Sequence, residues 1–178
     1  IKEESVLLTR LIADLRDLSL AEAGRLKLDL APIDLADLSK RKLEQFRPLA
    51  DAKGISLSHN SPDDLPPVAG DWVRLEQMLA NLLSNALRHT PEAGSINVSL
   101  SSGELKGRPT VNIAVSDTGE GIAAEGLAHI FDRFYRIEDS RSRDEGGAGL
   151  GLAIVKQMVI AHNGQIHAQS EPGQGTTF

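Results

Sequence analysis

The sequence has 178 residues, of which 40% are hydrophobic, and it carries a net charge of −6 with no cysteine. This length and composition suffice for one sizeable hydrophobic core. The negative charge and the lack of a long basic run argue against nucleic-acid binding through a cationic surface. The absence of cysteine excludes disulfides and thiolate metal sites, and no apolar run approaches the roughly 20 residues of a membrane span.

Residues 1–24 are predicted to form an amphipathic helix that ends at Gly24. Leucines recur at spacings of three and four, as in a coiled-coil seam, at Leu8, Leu11, Leu15 and Leu18. Because Leu7 and Ile12 widen this apolar face, we expect the helix to pack against a partner. The alternative is a helix that lies on its own domain.

The rest of the chain alternates helices with neighbouring strands. Strands are predicted over 24–30, 55–60, 95–102, 110–117, 164–171 and 176–178, and a loop over 61–70. Helices are predicted from the N-caps Asp34 and Asp71, over 124–136, and from the glycine-rich stretch RDEGGAGLGLAIVK to a C-cap at Asn163-Gly164. Adjacent strand pairs mixed with helices predict an α/β two-layer sandwich with a mixed, largely antiparallel sheet.

The helix that begins after Asp71 carries a polar stripe beside its apolar one. Asn81, Asn85, Arg88 and His89 follow one another at steps of one, three or four residues. Asparagine is a poor residue inside a helix because its side chain competes for backbone hydrogen bonds. An amide oxygen could instead ligate Mg²⁺, with Arg88 near a phosphate. A solvated helix face is the alternative that this helix alone leaves open.

The stretch VNIAVSDTGEGI places an acidic residue where a predicted strand meets a glycine turn. The Asp117 carboxylate would accept a hydrogen bond from the exocyclic amine of adenine, whereas the carbonyl oxygen of guanine would be repelled. A dinucleotide-binding fingerprint is disfavoured, because a short helix and a charged loop follow Gly119 and Gly121 in place of a long helix and an acidic strand. A plain turn is the remaining alternative.

Four glycines open the last predicted helix, at Gly146, Gly147, Gly149 and Gly151. Glycine removes side chains from the backbone N–H groups of a helix N-terminus, where anions are favoured, so a triphosphate would fit. The lysine and hydroxyl residue of a P-loop do not follow these glycines. The charged segment 137–147 is expected to be a mobile cover over the site.

Four of these motifs together resemble the ATP-site boxes of bacterial two-component sensor histidine kinases. They are, in order, NLLSNALRHTP, DTGEGI, IFDRFYR and GGAGLGLAIVKQMVIAHNGQI. The resemblance covers nearly the whole chain and implies the Bergerat ATP-binding fold of GHKL proteins, which gyrase-, Hsp90- and MutL-type ATPases share. It implies the end of a dimerisation hairpin over 1–24, a linker strand over 25–33 and a catalytic ATP-binding domain over 34–178.

The resemblance also implies roles for individual residues toward the cofactors ATP and Mg²⁺. Asn85 would be the metal ligand, Asn81 and Arg88 would lie near the phosphates, and His89 would lie near the ribose. Asp117 would receive the adenine amine, and Thr176 would help to hold Asp117 and its water. The other implied ATP contacts are Gly119, Gly121, Ile122, Phe131, Arg133, Gly147, Gly149, Leu150 and Gly151. Asn81, Arg88 and Arg136 would be the catalytic residues, with a lid arginine facing the γ-phosphate.

Two features depart from the family pattern. Ala148 stands where a threonine or serine is common, and none of the five histidines lies in a phosphoacceptor motif. We therefore expect the chain to be part of a longer protein whose acceptor histidine lies upstream. The implied partners are the dimerisation helices of a homodimer and a response regulator, with no nucleic acid and no membrane contact by these residues. The implied location is a cytoplasmic domain of a membrane-anchored sensor.

The function implied by the resemblance is transfer of the γ-phosphate of ATP to a histidine. A GHKL-type ATPase is the alternative enzyme, and a non-catalytic nucleotide-binding module is a further one. The ATPases of this fold use a glutamate as general base one turn before the metal asparagine. That position is Asn81 here, and an amide has no basic lone pair at neutral pH. This difference favours the kinase.

Overall fold

A computed structural model of the chain describes residues 2–136 and 148–178. The helices in these ranges are α1 (Lys2–Glu22), α2 (Leu35–Ala52), α3 (Trp72–His89), α4 (Ala124–Leu127) and α5 (Gly151–Ala161). The strands are β1 (Ala31–Ile33), β2 (Ser56–Asn60), β3 (Val68–Gly70), β4 (Ser95–Leu105), β5 (Arg108–Asp117), β6 (Gln169–Glu171) and β7 (Gly175–Thr177). None of the described helices is long and apolar enough to cross a membrane.

Five of the strands form a mixed sheet in the order β2-β4-β5-β7-β6. The pair β2–β4 is parallel, with the crossover between them running through α3, and the other three pairs are antiparallel. Strand β7 aligns Thr176 directly opposite Asp117 at the end of β5. The predicted α/β sandwich with a largely antiparallel sheet is confirmed.

Helix α3 contacts both α2 and α5, and α2 and α3 also contact the sheet. Their apolar faces and the inward residues of β4 and β5 form one core, whose most deeply buried members include Leu38, Leu79, Ile96, Val115 and Val155. On β4, every second residue from Ile96 to Leu100 is buried, as expected for a strand with one face on the core. This core fixes the positions of α3 and β5, which carry most of the predicted site.

Hydrogen bonds at the helix ends agree with the predicted caps. The Asp34 carboxylate accepts from the backbone N–H groups of Ala36 and Asp37, and the Asp71 carboxylate accepts from Arg74 N–H. At the end of α5, Asn163 has a left-handed φ of 60°, and Gly164 N–H donates to the Val159 carbonyl at 2.8 Å. This is a Schellman ending in which Asn163 is the left-handed residue.

The predicted strand over 24–30 is wrong, because in the structure only Ala31–Ile33 pairs, with β3 as its partner. Leu26 and Leu28 are half-buried, as their alternation predicts, but no strand among the described residues pairs with them. The predicted loop over 61–70 contains β3, the partner that single-strand patterning did not reveal. Within the linker of 25–33, only the last three residues are therefore paired as a strand.

Two further elements are shorter than predicted. Helix α4 ends at Leu127, and the chain then continues in turns. Phe134, inside the predicted helix, has a left-handed φ of 60° and donates its N–H to the Gly149 carbonyl. The predicted strand of 164–171 is paired only as β6, over Gln169–Glu171. Ile166 and Ala168 still pack against the core, so the alternation was informative although the pairing was not.

Helix α1 lies on its own domain, against α5, through Leu11 and Leu18. Leu18 is buried, whereas Ile12 and Leu15 remain exposed. The predicted apolar seam therefore divides between two faces, one on α5 and one open to solvent. Ile1 and the side chains of Leu7 and Leu8, which belong to the same prediction, lie outside what the structure describes.

Candidate nucleotide-binding site

Asp117 is the buried carboxylate at the centre of the candidate site. It is only 8% exposed, and its Oδ1 accepts hydrogen bonds from Gly119 N–H at 2.8 Å and Thr176 N–H at 3.3 Å. Burial raises the pKa of Asp117 above its usual value, more than these bonds and the charge of nearby His89 lower it. The carboxylate is therefore held firmly in place but incompletely compensated, as a group that awaits a further hydrogen-bond donor would be.

At two glycines around Asp117, the backbones of neighbouring segments pack directly against each other. A Cβ at Gly121 would lie 2.0 Å from the Glu171 carbonyl oxygen, and one at Gly175 would lie 1.9 Å from the Asp117 carbonyl oxygen. Both residues also have left-handed φ angles. Gly173 N–H donates to the Glu120 carbonyl at 2.7 Å. The loop after β5 and the β6–β7 hairpin are thus packed too closely for a side chain at Gly121 or Gly175.

A cleft of about 500 Å³ opens beside this packed region. Its wall includes Asp117, Leu127 of α4, and residues of the β6–β7 hairpin, among them Ser170, Glu171 and Thr176. The Thr176 hydroxyl is 2.9 Å from the Ser170 hydroxyl, which also accepts from Ile122 N–H at 2.8 Å. Thr176 therefore contacts Asp117 through its backbone N–H, while its hydroxyl contacts Ser170.

Ser170 is a site residue that the sequence-based prediction missed. One signal was present in the alternation of the segment. Ile166 and Ala168 face the core, and Ser170, two residues further, lies on the same face. A polar side chain on such a face requires hydrogen-bond partners. One of those partners, Ile122 N–H, belongs to a loop 48 residues earlier, which local patterns do not reveal.

The polar stripe of α3 extends from the glycine-rich turn toward the loop after β5. Asn81 Nδ2 donates to the Gly151 carbonyl at 3.4 Å, so the amide faces the start of α5. His89 Nδ1 lies 2.8 Å from Glu120 Oε1, on the loop that follows Asp117. Asn85 is half-buried and Arg88 is exposed. Helix α3 thus links the two halves of the candidate site.

The glycine-rich stretch is described only from Ala148 onward. Gly149 has a φ of +69°, and a Cβ there would lie 2.9 Å from the Tyr135 carbonyl oxygen, so its glycine is explained by backbone packing. Leu150 is buried in the core at 3% exposure and does not offer its side chain to a ligand. Gly151 begins α5 with no side-chain cap. Gly146, Gly147 and the predicted cover of 137–147 lie outside the described residues.

The aromatic and arginine residues of IFDRFYR divide between core and surface. Phe131 packs edge-on against Phe178, with ring centroids 6.3 Å apart. Phe134 is 62% exposed. Arg133 forms an ion pair with Glu22 at the end of α1. Its charge is therefore already paired with a carboxylate in this structure. Arg136 is exposed at the last described position before residue 137.

Residues 70–178, more than half of the chain, match the family model of histidine kinase-, DNA gyrase B- and HSP90-like ATPases. The chain belongs to this ATPase family. Among curated relatives, it is 39% identical over 171 residues to the signal transduction histidine-protein kinase BaeS of Escherichia coli K12, covering 96% of this chain and 36% of BaeS. It is 38% identical over 178 residues to the alginate biosynthesis sensor protein KinB of Pseudomonas aeruginosa, covering all of this chain and 29% of KinB.

Solved structures of this ATPase family have the same fold. Full-length ShkA in complex with AMPPNP matches with a TM-score of 0.82 and 34% identity, over 96% of this chain and 34% of ShkA. The Acinetobacter baumannii histidine kinase AdeS matches with a TM-score of 0.77 and 27% identity, over 98% of this chain and 78% of AdeS. The chain spans about a third of the length of BaeS and of KinB. The predicted resemblance to sensor histidine kinases is thereby confirmed.

Proposed function

We propose that the chain is the catalytic ATP-binding part of a sensor histidine kinase. It would bind Mg²⁺-ATP and present the γ-phosphate to a histidine on a dimerisation helix, for relay to a response regulator. The single observation that carries the proposal is Asp117. This buried carboxylate has a raised pKa and both of its hydrogen bonds on Oδ1, and it lines an open cleft.

The base of the nucleotide would bind at Asp117 and Thr176. A carboxylate oxygen without a donor among the described residues matches the exocyclic amine of adenine and repels the carbonyl oxygen of guanine. The bond is charge-assisted, so it is stronger than a neutral one. Gly119, Gly121 and Ile122 would shape this end of the pocket through their backbone, and His89 would lie near the ribose. The complex of ShkA with AMPPNP supports an adenine nucleotide as the ligand.

The phosphates would extend along α3 toward the start of α5. Arg88 supplies positive charge, Asn81 already contacts the first turn of α5, and the N-terminus of that 11-residue helix favours an anion. Phe131, Arg133, Arg136, Gly147, Gly149 and Leu150 are the other proposed contacts, of which Leu150 would act through its backbone. The half-buried amide of Asn85 is a hard oxygen ligand suited to Mg²⁺. When bound, Mg²⁺ would neutralise phosphate charge.

The reaction requires little covalent chemistry from the protein. A lone pair of the acceptor imidazole forms a P–N bond to the γ-phosphorus as the P–O bond to ADP breaks, and a proton leaves the other ring nitrogen. Catalysis then depends on placing the phosphate and neutralising its charge. Asn81, Arg88 and Arg136 are the proposed residues for this step. Arg136 is the better lid arginine, because Arg133 is paired with Glu22.

The relatives also guide the proposals for partners and location. BaeS and KinB are named as a signal transduction histidine-protein kinase and a sensor protein. We therefore propose a homodimer through dimerisation helices that continue from α1, a response regulator as the recipient of the phosphate, and a cytoplasmic position in a membrane-anchored sensor. The exposed Ile12 and Leu15 on α1 support contact with such helices.

ATP hydrolysis is the second candidate, because the family also includes gyrase- and HSP90-like ATPases. It would require a general base one turn before Asn85, and an amide stands there. A placed base typically contributes roughly 10²–10⁴-fold to the rate of such a step. Slow basal hydrolysis is therefore expected of the chain.

The test separates the kinase, the ATPase and a non-catalytic binding module. A dimerisation hairpin carrying an acceptor histidine is fused ahead of α1, and the protein is incubated with γ-labelled ATP and Mg²⁺, with Asn85→Ala as background. Acid-labile, base-stable label on the hairpin supports the kinase. Steady phosphate release well above the background without label supports the ATPase. ATP binding with neither product supports the non-catalytic module, and no ATP binding rejects all three.

A further inference from the structure

The hydroxyl of Ser170, in the middle of β6, has three hydrogen-bond contacts. It is 2.7 Å from the Gly175 carbonyl oxygen, 2.8 Å from Ile122 N and 2.9 Å from the Thr176 hydroxyl. The first and third of these partners belong to β7, and the second belongs to the loop after β5. One side chain therefore ties together the two segments that hold Asp117.

The direction of each bond follows from the chemistry of the groups. A serine hydroxyl has one hydrogen and two lone pairs, and a carbonyl oxygen can only accept. The hydrogen of Ser170 therefore goes to Gly175, and the Ile122 N–H uses one lone pair. The remaining lone pair must accept the hydrogen of Thr176. With its hydrogen used in this way, the Thr176 hydroxyl is an acceptor toward anything in the cleft.

This arrangement means that the cleft wall favours ligand groups that donate hydrogen bonds. Asp117 and Thr176 both line the cleft and stand opposite each other across β5 and β7. One is a carboxylate and the other is a hydroxyl fixed as an acceptor. An exocyclic amine has two hydrogens, and so does a water molecule that bridges it to the wall. A carbonyl oxygen offers none.

We propose that Ser170 is a positioning residue for base recognition, because it fixes the Thr176 hydroxyl as an acceptor and joins the 119–122 loop to the hairpin. This inference rests on the proposed binding of ATP. Close packing of the same two segments at Gly121 and Glu171 leaves little room for either to shift once Ser170 is in place. Ser170 would act through Thr176 and Ile122 without touching the nucleotide.

The experiment compares two ligands, ATP and the triphosphate of purine riboside, which lacks the exocyclic amine. Loss of the hydroxyl in Ser170→Ala should weaken ATP binding by roughly 5- to 30-fold, the range for one hydrogen bond to a buried polar group. The amine-free ligand should lose less than about 3-fold, because it does not use the acceptor. Ser170→Thr, which keeps a hydroxyl, should restore the preference for ATP. Calorimetric titration of the folded variants gives both affinities.

Two controls separate this role from a structural one. Ser116→Ala removes another hydroxyl pair between β5 and β7, the one with Thr177 at 2.9 Å, and should leave the ratio of the two affinities unchanged. In Thr176→Val, adding Ser170→Ala should cause no further loss of that ratio. If Ser170→Ala does not fold, Ser170→Cys takes its place, because a thiol donates and accepts weakly.

The outcomes are distinct. Equal weakening of both ligands, or none, in the Ser170 variant would overturn the positioning role while leaving ATP binding intact. A further loss in the double variant would show that Ser170 does not act through Thr176. If the unmutated chain binds neither triphosphate, the proposed function fails, and this inference fails with it.

Discussion

Asp71 and Asp117 are two buried aspartates at strand ends, and they differ in how their charge is compensated. They are 7% and 8% exposed, and each accepts two backbone hydrogen bonds. Asp71 receives them on separate oxygens, from Asp29 and Arg74, whereas Asp117 receives both on Oδ1. Burial alone would raise the pKa of Asp71, but those bonds and the charge of Arg74 lower it below its usual value. For Asp117 the effect of burial is larger than that of its hydrogen bonds, so its pKa is raised.

The difference separates a structural carboxylate, Asp71, from the one proposed to bind a ligand, Asp117. Asp71 caps α3, where the helix N-terminus favours a negative charge, and it also joins the linker at Asp29 to that helix. Its surroundings complete its hydrogen bonding within the chain. Asp117 is left with an oxygen that no described residue satisfies, on the wall of a cleft. Burial and backbone bonds are shared by the two sites, so the unfilled acceptor is the informative feature.

The largest loss of stability is expected at Gly121, where the loop after Asp117 packs against the β6–β7 hairpin. Gly121→Ala would place a Cβ 2.0 Å from the Glu171 carbonyl oxygen at a φ of +70°. Overpacking and left-handed strain together should lower the free energy of unfolding by about 2–5 kcal/mol. Gly173→Ala, at a φ of +78° in open space, should cost only about 1–2 kcal/mol. Urea denaturation measures both, and equal losses would mean that the loop and hairpin are not closely packed.

The structural aspartate should matter next most for stability. Asp71→Ala removes the cap of α3 and the acceptor for Asp29 N–H, so the free energy of unfolding should fall by about 2–3 kcal/mol. Asp34→Ala removes an exposed cap of α2 and should cost about 1 kcal/mol. Denaturant unfolding of the two variants gives the comparison. A larger loss for Asp34 would contradict the role assigned to Asp71.

Asp117→Asn should change binding and leave folding intact. The amide keeps an acceptor but loses charge assistance, so ATP affinity should fall by about 1–2 kcal/mol in calorimetry. The free domain should unfold at an unchanged or higher denaturant concentration, because a buried charge has been removed. Unchanged affinity would reject the adenine assignment. A preference of this variant for GTP would mean that the polarity of the pocket is reversed.

The smallest effect is a pH dependence of opposite sign at the two aspartates. A raised pKa means that Asp117 contributes stability at low pH, which is lost as the pH rises through its folded value. A lowered pKa means that Asp71 contributes stability above the usual value of 3.8, which is lost as the pH falls through its folded value. The stability of the unmutated chain minus that of each Asp→Asn variant, measured between about pH 3 and 6, should therefore fall with pH for Asp117 and rise for Asp71. Slopes of the same sign would contradict the comparison.

Local patterns were sufficient for the parts of the fold that local physics determines. The caps at Asp34 and Asp71 and the ending at Asn163 were predictable because a side chain or a left-handed residue satisfies nearby backbone groups. The pairing of β1 with β3 was not predictable, because it depends on which distant strand is available. Asp117 could be found as an acidic residue at a strand end, but the bond from Ser170 to Ile122 crosses 48 residues and has no local signature.

The pairing of β5 with β7 has a consequence for folding. Asp117 is joined to Thr176 across 59 residues of chain, whereas β4 and β5 meet through a short hairpin turn. Loop closure over such a distance is slow compared with local hairpin formation. During synthesis, α2, α3 and the β4–β5 hairpin can assemble while the β6–β7 hairpin is still on the ribosome. Thr176 N–H, one of the two donors to the Asp117 carboxylate, therefore arrives after α3 and β5. We predict that a nascent chain binds the proposed nucleotide only after residue 176 has emerged.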